Sequence, residues 1–319
     1  MATKPYLSVV VPVKDELQSL PPFWRNLSTV LKTIGKPYEV IFVDDGSTDG
    51  SFEKLTAIAR QYRAVSVVKF QGNFGKSAAL QAGFDEAQGE VIATLDADLQ
   101  DEPTELPKLL KKLNEGYDLV SGWKQHRQDP ISKIIASRVF NGITSLLTGV
   151  RFHDFNSGFK VYRRGVVDEL RLYGELHRFI PVFAARANFR VAEVAVKHNP
   201  RLFGKTKYGI ERVLRGFFDL ITVVFLTGYL KRPGHFFGGI GLLFLFAGLV
   251  INGYITYIRL ATGSIQFRYP LLFLGVMLVI VGIQSITTGL LAEMLTHMGA
   301  RERRPYLISQ VLKARSRRD

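Results

Sequence analysis

Along the first 125 residues, short apolar runs rich in Val, Ile and Phe alternate with longer stretches whose apolar positions recur every three or four residues. The runs are YLSVVVPV (6–13), YEVIFVDD (38–45), AVSVVKF (64–70), EVIATLDAD (90–98) and DLVSGW (118–123). They predict strands, and the stretches around 17–34, 51–62, 75–88 and 103–115 predict the helices between them. Such alternation implies right-handed βαβ crossovers and a mostly parallel sheet. The strands are continuously apolar, as expected when helices cover both faces. Ligands in these sheets bind at the carboxyl ends of the strands. The first strand ends in VKDE, the second in DDGSTDG and the fourth in DADLQDE, so three acidic clusters converge on one edge. That edge is the candidate site.

The pattern changes farther along. In 131–149, Ile131, Ile134, Ile135, Val139, Ile143, Leu146 and Leu147 recur at helical spacing. In 209–230, Glu211, Arg212, Arg215 and Asp219 share one face, and Val213, Leu214, Phe217, Leu220, Ile221 and Val224 fill the rest. Either helix could pack on the protein's own core. The second runs straight into a longer apolar segment, which favours a position in a membrane interface. Residues 234–258 and 269–292 contain no Asp, Glu, Lys or Arg. Each exceeds the roughly 20 apolar residues that span a bilayer's hydrocarbon core. Both lie late in the chain, so neither is expected to be a signal peptide.

Charge orients these spans. The short loop between them carries only Arg259 and Arg268, whereas Lys231, Arg232 and a tail with Arg301, Arg303, Arg304, Lys313, Arg315, Arg317 and Arg318 flank them. The bias places both termini and the first 232 residues on the cytoplasmic side of a bacterial plasma (inner) membrane. A net charge of +14 suits a protein lying against anionic lipid. Two spans make nucleic acid a poor explanation for that charge. The chain has no cysteine, which excludes disulfides and thiolate metal sites. Small-residue patterns such as GGIG in the first span permit helix packing and a homo-oligomer.

Two nucleotide motifs are absent. GNFGKSAAL holds Gly75-Lys76-Ser77, but position 70 is Phe where a P-loop needs glycine. No GxGxxG follows the first strand, which disfavours a dinucleotide dehydrogenase. The DADLQDE segment says more. Asp96 and Asp98 flank one small residue just past a buried strand, and in an extended segment both carboxylates would point the same way. Carboxylate oxygens completed by substrate phosphates describe a Mg2+ or Mn2+ diphosphate site, to which Gln100 could add a carbonyl oxygen. Without a cation, mutual repulsion would raise the carboxylates' pKa values. The bland alternative is an acidic strand-to-helix loop with Asp101 or Glu102 capping a helix that begins near Pro103.

VVVPVKDE, VDDGSTDGS, NFGKSAALQAG, LDADLQDEP and NSGFKVYRR occur in the order and spacing of glycosyltransferase family 2, and the resemblance covers essentially the whole chain. They most resemble its dolichol-phosphate-mannose-synthase branch. The length and the two C-terminal spans resemble bacterial bactoprenol (polyprenyl-phosphate) glucosyltransferases. The family's first motif usually reads Tyr-Asn-Glu; here Lys14-Asp15-Glu16 keeps the Glu and changes the two residues before it.

The resemblance implies a GT-A fold, an α/β Rossmann-like catalytic domain, and inverting, metal-dependent transfer from a nucleotide-sugar to a lipid phosphate. Pro12 and Glu16 would line the nucleotide pocket, with Asp44 and Asp45 beside base and ribose. The Asp-Gly-Ser-Thr-Asp run is also good turn chemistry. Lys76 would reach the nucleotide or its phosphates, or is a solvated helix lysine. Asp96, Asp98 and Gln100 would hold Mg2+ or Mn2+ against the diphosphate. Asp154 is a catalytic or a structural carboxylate, and His153 a loop neighbour. Arg201, Lys205 and Lys207 resemble the family's basic loop over the diphosphate, with an anionic-lipid patch as the alternative. A lipid monophosphate arrives largely ionised, so it needs cations more than a general base. Lys124, Arg127 and Arg138 are the candidates to grip it, against the simpler role of solvated surface charges.

The expected organisation is a cytoplasmic GT-A domain (1–208), an interfacial helix (209–232), a first span (233–258), a short extracytoplasmic loop (259–268), a second span (269–295) and a basic tail (296–319). The expected reaction is glucose transfer from UDP-glucose to undecaprenyl phosphate. The alternatives are a GDP-mannose-dependent dolichyl- or polyprenyl-phosphate mannosyltransferase and a non-catalytic nucleotide-sugar-binding scaffold. A processive polysaccharide synthase is disfavoured, since no Gln-x-x-Arg-Trp motif and no longer set of spans is present.

Overall fold

The computed structural model describes residues 4–125, 131–200, 219–220, 222–224, 233–265 and 267–299. The chain divides into two compact units, Met1–Thr227 and Gly228–Asp319.

In the first unit the predicted alternation is present: β1 (Leu7–Val13), α1 (Leu20–Ile34), β2 (Tyr38–Asp44), α2 (Ser51–Gln61), β3 (Val65–Lys69), α3 (Lys76–Glu86), β4 (Val91–Thr94), α4 (Leu106–Asn114) and β5 (Leu119–Lys124). There follow α5 (Ile131–Thr148), β6 (Lys160–Arg163), α6 (Arg164–Glu169), α7 (Ile180–Arg186) and β7 (Val191–Val196). The seven strands lie in the order β3-β2-β1-β4-β6-β5-β7. All pairings are parallel except those of β6, which runs antiparallel to β4 and β5. Strands β6 and β7 escape the hydropathy pattern because β6 is only four residues bracketed by Lys160 and Arg163, and β7 carries Glu193 and two alanines among its valines.

Side-chain alternation builds two apolar layers. Val9, Val11 and Phe42 face Leu20, Phe23, Leu27 and Leu109 on one side of the sheet. Val10, Ile41 and Ile92 face Leu80, Phe84 and Ile180 on the other. Each such side chain, fully buried, contributes about 1.5–3 kcal/mol. Covering both faces is why the strands read as unbroken apolar runs.

Two expectations change. Strand β4 stops at Thr94, so Asp96 and Asp98 stand on a turn rather than an extended segment. A short 3-10 turn, Pro103–Glu105, precedes α4, and Glu102, the residue before that turn, makes no side-chain cap; Asp101 pairs elsewhere. Of the two positions open to helix α5, core packing by its apolar stripe is not the one taken. Its Asn141, Thr144 and Thr148 are buried, while Ile135, Val139, Ile143, Leu146 and Leu147 are exposed. Asn141 Nδ2 donates to the His153 carbonyl at 2.6 Å, and Arg186 donates to the Thr148 carbonyl at 2.7 Å. The helix therefore docks by these polar groups and by Phe140, whose ring centre lies 5.8 Å from that of Phe179, and leaves its Ile, Val and Leu stripe uncovered by the described residues.

The second unit is a helical hairpin of α8 (Pro233–Thr262) and α9 (Tyr269–Gly299), each long and apolar enough to cross a membrane. α8 continues past the expected boundary at 258, and ends where Gly263, at φ +72°, donates its N–H to the Arg259 carbonyl. A seam of glycines lets the helices approach. A Cβ on Gly241 would lie 2.7 Å from the Gly282 carbonyl, one on Gly248 2.7 Å from the Gly275 carbonyl, and one on Gly289 3.3 Å from Gly234 Cα. Backbones this close gain van der Waals contact without a hydrophobic driving force. The Gly241 of GGIG thus serves the hairpin itself. Gly234 N–H donates to Glu293 Oε2 at 3.0 Å, which caps the start of α8.

Candidate active site

The carboxyl edge of β1, β2 and β4 opens into a cleft of about 280 Å3, whose lining includes Pro12, Glu16, Asp45, Lys76, Asp96 and Asp98. Six residues named from sequence therefore converge. The loops that carry them are stitched together. Asp15, at φ +56°, accepts the Thr48 N–H at 2.8 Å and donates its own N–H to Ser47 Oγ at 2.9 Å. An Asp tolerates this left-handed backbone better than most residues. Lys14 Nζ donates to the Gly46 carbonyl at 2.6 Å. Lys14-Asp15 thus ties the first acidic loop to the second. Glu16 Oε2 accepts Ser19 Oγ at 2.6 Å.

The two acids after β2 differ. Asp45 accepts the N–H groups of Phe74 at 2.7 Å and Gly75 at 3.0 Å, fixing the approach to α3. Asp44 is fully buried, accepts the Ser47 N–H at 3.3 Å, and does not line the cleft. That contact is turn chemistry of the kind the Asp-Gly-Ser-Thr-Asp pattern allows.

The charged centre lies past β4. Thr94 Oγ1 donates to the Gly158 carbonyl at 2.8 Å, holding the 154–159 loop against the strand end. Gly158 in turn packs on the Asp96 carboxylate so closely that any Cβ there would collide with it. Lys76 Nζ donates to both Asp96 oxygens, at 2.5 and 2.8 Å. Lys124 pairs with buried Asp101 at 3.0 Å. Lys160, itself buried, donates to the Ser157 carbonyl. Register places Lys160 opposite Thr94 of β4 and Ser121 of β5, hence under the acidic turn.

These lysines split the carboxylates. Burial opposes ionisation of Asp96, but Lys76, Lys124 and Lys160 outweigh it and hold its pKa below the ordinary value. Asp98 goes the other way: burial, then Asp96 and Asp101, push it up. The expected repulsion is thus real for Asp98 and overridden for Asp96. Lys124 is desolvated, yet Asp101, Asp154 and Asp96 raise its pKa. For Lys160, burial and then Lys76 win, and its pKa falls to about 8.

Asp154 is buried; its N–H donates to Glu193 Oε1 at 3.0 Å, and its Oδ1 accepts the Asn156 N–H at 3.1 Å. His153 is a loop neighbour: its ring stacks on Trp123 at 4.2 Å and contacts Glu193 Oε2 at 3.0 Å. Gln100 donates its N–H to Asp98 Oδ1 at 3.2 Å, and its carbonyl accepts the Asn199 N–H at 2.9 Å. Arg138 is exposed on α5. Arg127, Arg201, Lys205 and Lys207 lie outside the described residues.

Sequence reading passed over Gly158 and Lys160, although both stand in the quoted NSGFKVYRR. It also passed over the buried contact of Ser77 Oγ with His177 Nδ1 at 3.0 Å, which anchors the first turn of α3. Two of these are polar or charged groups on otherwise apolar elements, which was the available signal. The donor set suits a hard divalent cation: carboxylate oxygens at a cradle that a Cβ at 158 would fill. Among the described residues no three acidic or His side chains group closely enough to hold a metal unaided.

The profile of Glycosyl transferase family 2 matches residues 8–171. Over 317 residues the chain is 37% identical to the dodecaprenyl-phosphate galacturonate synthase of Rhizobium johnstonii, covering 97% of this chain and 94% of that one. It is 36% identical to the undecaprenyl-phosphate 4-deoxy-4-formamido-L-arabinose transferase of Klebsiella pneumoniae, covering 96% and 94%. The structure of glucosyl-3-phosphoglycerate synthase from Mycobacterium tuberculosis in complex with Mn2+ and UDP-glucose has a TM-score of 0.52 at 18% identity, covering 70% of this chain and 79% of that one. That likeness is one of fold, and the first unit has the GT-A-like arrangement of a mixed, mostly parallel sheet.

Proposed function

The chain belongs to glycosyl transferase family 2, and from that premise we propose that it moves a sugar from a nucleotide donor onto a polyprenyl phosphate at a membrane surface, with inversion. The observation that carries this reading is the Asp96–Asp98 cleft, set in a chain similar over nearly its whole length to two polyprenyl-phosphate sugar transferases.

Pro12, Glu16 and Asp45 form the nucleotide end of the cleft, and Lys76, Asp96 and Asp98 its diphosphate end. Asp96 and Asp98, with Gln100 beside them, would hold Mg2+ or Mn2+, whose charge stabilises the departing nucleoside diphosphate. A lipid phosphate oxygen attacks the anomeric carbon as the bond from that carbon to the diphosphate oxygen breaks. The acceptor is already ionised near neutral pH, so no side chain has to take its proton. Lys124, fixed on Asp101 with its charge secured, is part of the positive lining that meets it, with Arg138 and Arg127 as further cations. Arg201, Lys205 and Lys207 are read as further cations for the diphosphate; they come two to eight residues after Asn199, whose Nδ2 donates to Glu102 Oε2 at 3.0 Å. Asp154 is read as the carboxylate that keeps the lysines Lys124 and Lys160 charged and in place.

The exposed apolar stripe of α5 and the two membrane-length helices support action at a bilayer. The Lys and Arg distribution supports a cytoplasmic catalytic unit. For the sugar, the resemblance pointed to glucose from UDP-glucose. The relatives' names instead carry galacturonate and 4-deoxy-4-formamido-L-arabinose. The decisive experiment incubates the purified full chain with undecaprenyl phosphate and labelled nucleotide-sugars carrying each of these, with GDP-mannose alongside, in Mn2+ or EDTA. Label entering the lipid from one donor, with metal only, is the expected result. Tight binding of a donor without transfer would favour a scaffold instead.

A further inference from the structure

We infer that Lys76 is a tethered competitor for the cation seat: it holds Asp96 until a metal and a nucleoside diphosphate arrive together, then moves to the diphosphate. The inference rests on the reading of Asp96 and Asp98 as cation ligands. Its footing is the double bond from Lys76 Nζ to both Asp96 oxygens. A divalent cation approaching that carboxylate meets an ammonium already spanning it.

The backbone beneath Lys76 is pinned on both sides. Gly75 donates to Asp45 at 3.0 Å. Ser77 Oγ accepts the His177 N–H at 3.1 Å and meets its Nδ1 at 3.0 Å. The first turn of α3 is therefore fixed, and the long Lys76 side chain is the part that can move. Both side chains of the pair are about a quarter exposed, at 29% and 26%. The pair is thus open to solvent on one side, from which a cation or a phosphate can reach it. The released ammonium stays in the same cleft, at the start of a helix of 11 residues whose N-terminus also favours anions. A diphosphate there gains a lysine and a helix end together. Metal alone has to displace Lys76 with nothing to receive it; metal with diphosphate does not. The two ligands then bind cooperatively, and the coupling is reciprocal.

The test measures Mn2+ binding to the full chain in detergent by EPR titration, with and without saturating UDP, and UDP affinity at saturating Mn2+. In Lys76→Met, Mn2+ alone should bind about tenfold tighter while UDP binds about tenfold weaker, so the coupling, typically about 5–150-fold, shrinks. Lys76→Arg, which keeps a cation on Asp96, should bind Mn2+ alone as the wild type does. A Lys76→Met protein that is folded and gains Mn2+ affinity equally with and without UDP, or not at all, overturns the inference: its lysine is background charge. A folded wild type that binds Mn2+ in neither condition overturns the cation reading of Asp96 and Asp98 and this inference with it.

Discussion

Replacing Gly158 with Ala puts one methyl group where the Asp96 carboxylate now rests. The added Cβ would stand 2.7 Å from Asp96 Cγ and 2.8 Å from Oδ1, and nearer still to Oδ2. Carbon atoms prefer about 3.5–4.0 Å, so the carboxylate has to retreat by roughly 0.8 Å or more. Gly158 is not in a left-handed conformation, so the backbone accepts alanine and the strain falls on Asp96. A misplacement of about 1 Å at a reacting centre can lower rates about 10²-fold, or about 2.7 kcal/mol of transition-state stabilisation. Overpacking generally destabilises by about 1–3 kcal/mol, and the lower end applies because the displaced group is a partly exposed side-chain end. Gly158→Ala should therefore lose about two orders of magnitude in sugar transfer to undecaprenyl phosphate while melting within a few degrees of the wild type. Gly165→Ala, with nothing within 4 Å of the new methyl, is the matched control and should transfer normally. Transfer by Gly158→Ala within about threefold of wild type would refute the view that Asp96 must sit against that glycine.

Asp98→Asn should abolish transfer, by about 10³-fold for the loss of several kcal/mol of cation-assisted stabilisation, yet melt no lower than the wild type, since burial already disfavours this carboxylate. Because its folded pKa is raised, the stability it lends is present below its unfolded pKa and lost as pH rises through the folded value; melting curves of Asp98→Asn should lack that acid-side slope. Lys160, with a folded pKa of about 8 against an ordinary 10.5, behaves oppositely. Between those values the unfolded chain binds more protons, so stability rises with pH. Lys160→Met should be the more stable protein near pH 7, by up to about 3 kcal/mol, and its advantage in melting temperature should close as pH approaches 10. Gly241→Leu drives a side chain into the Gly282 carbonyl and Ile286; an overpacking penalty of about 1–3 kcal/mol should lower the hairpin's thermal transition in detergent and leave the nucleotide cleft's UDP affinity unchanged.

What local pattern can specify was legible in the residues. The order of β1 to β5 and α1 to α4 follows from apolar runs and helical spacing, because each element's burial is written in its own period. The two long helices follow from their lack of charge, and the convergence of Pro12, Glu16, Asp45, Lys76, Asp96 and Asp98 follows from strand ends sharing one edge. Other features depended on partners distant in the chain. That β6 inserts antiparallel between β4 and β5 is a matter of long-range pairing, and it brings Gly158 and Lys160 under Asp96. Whether a carboxylate's pKa rises or falls was set by which lysines folded against it: two acids two residues apart, Asp96 and Asp98, went in opposite directions. Helix α5 has the periodicity of a core helix, and only packing showed its Asn and Thr face inside and its Ile and Leu face outside. Period reports that a helix has two faces; the surface each face meets is decided by the tertiary structure.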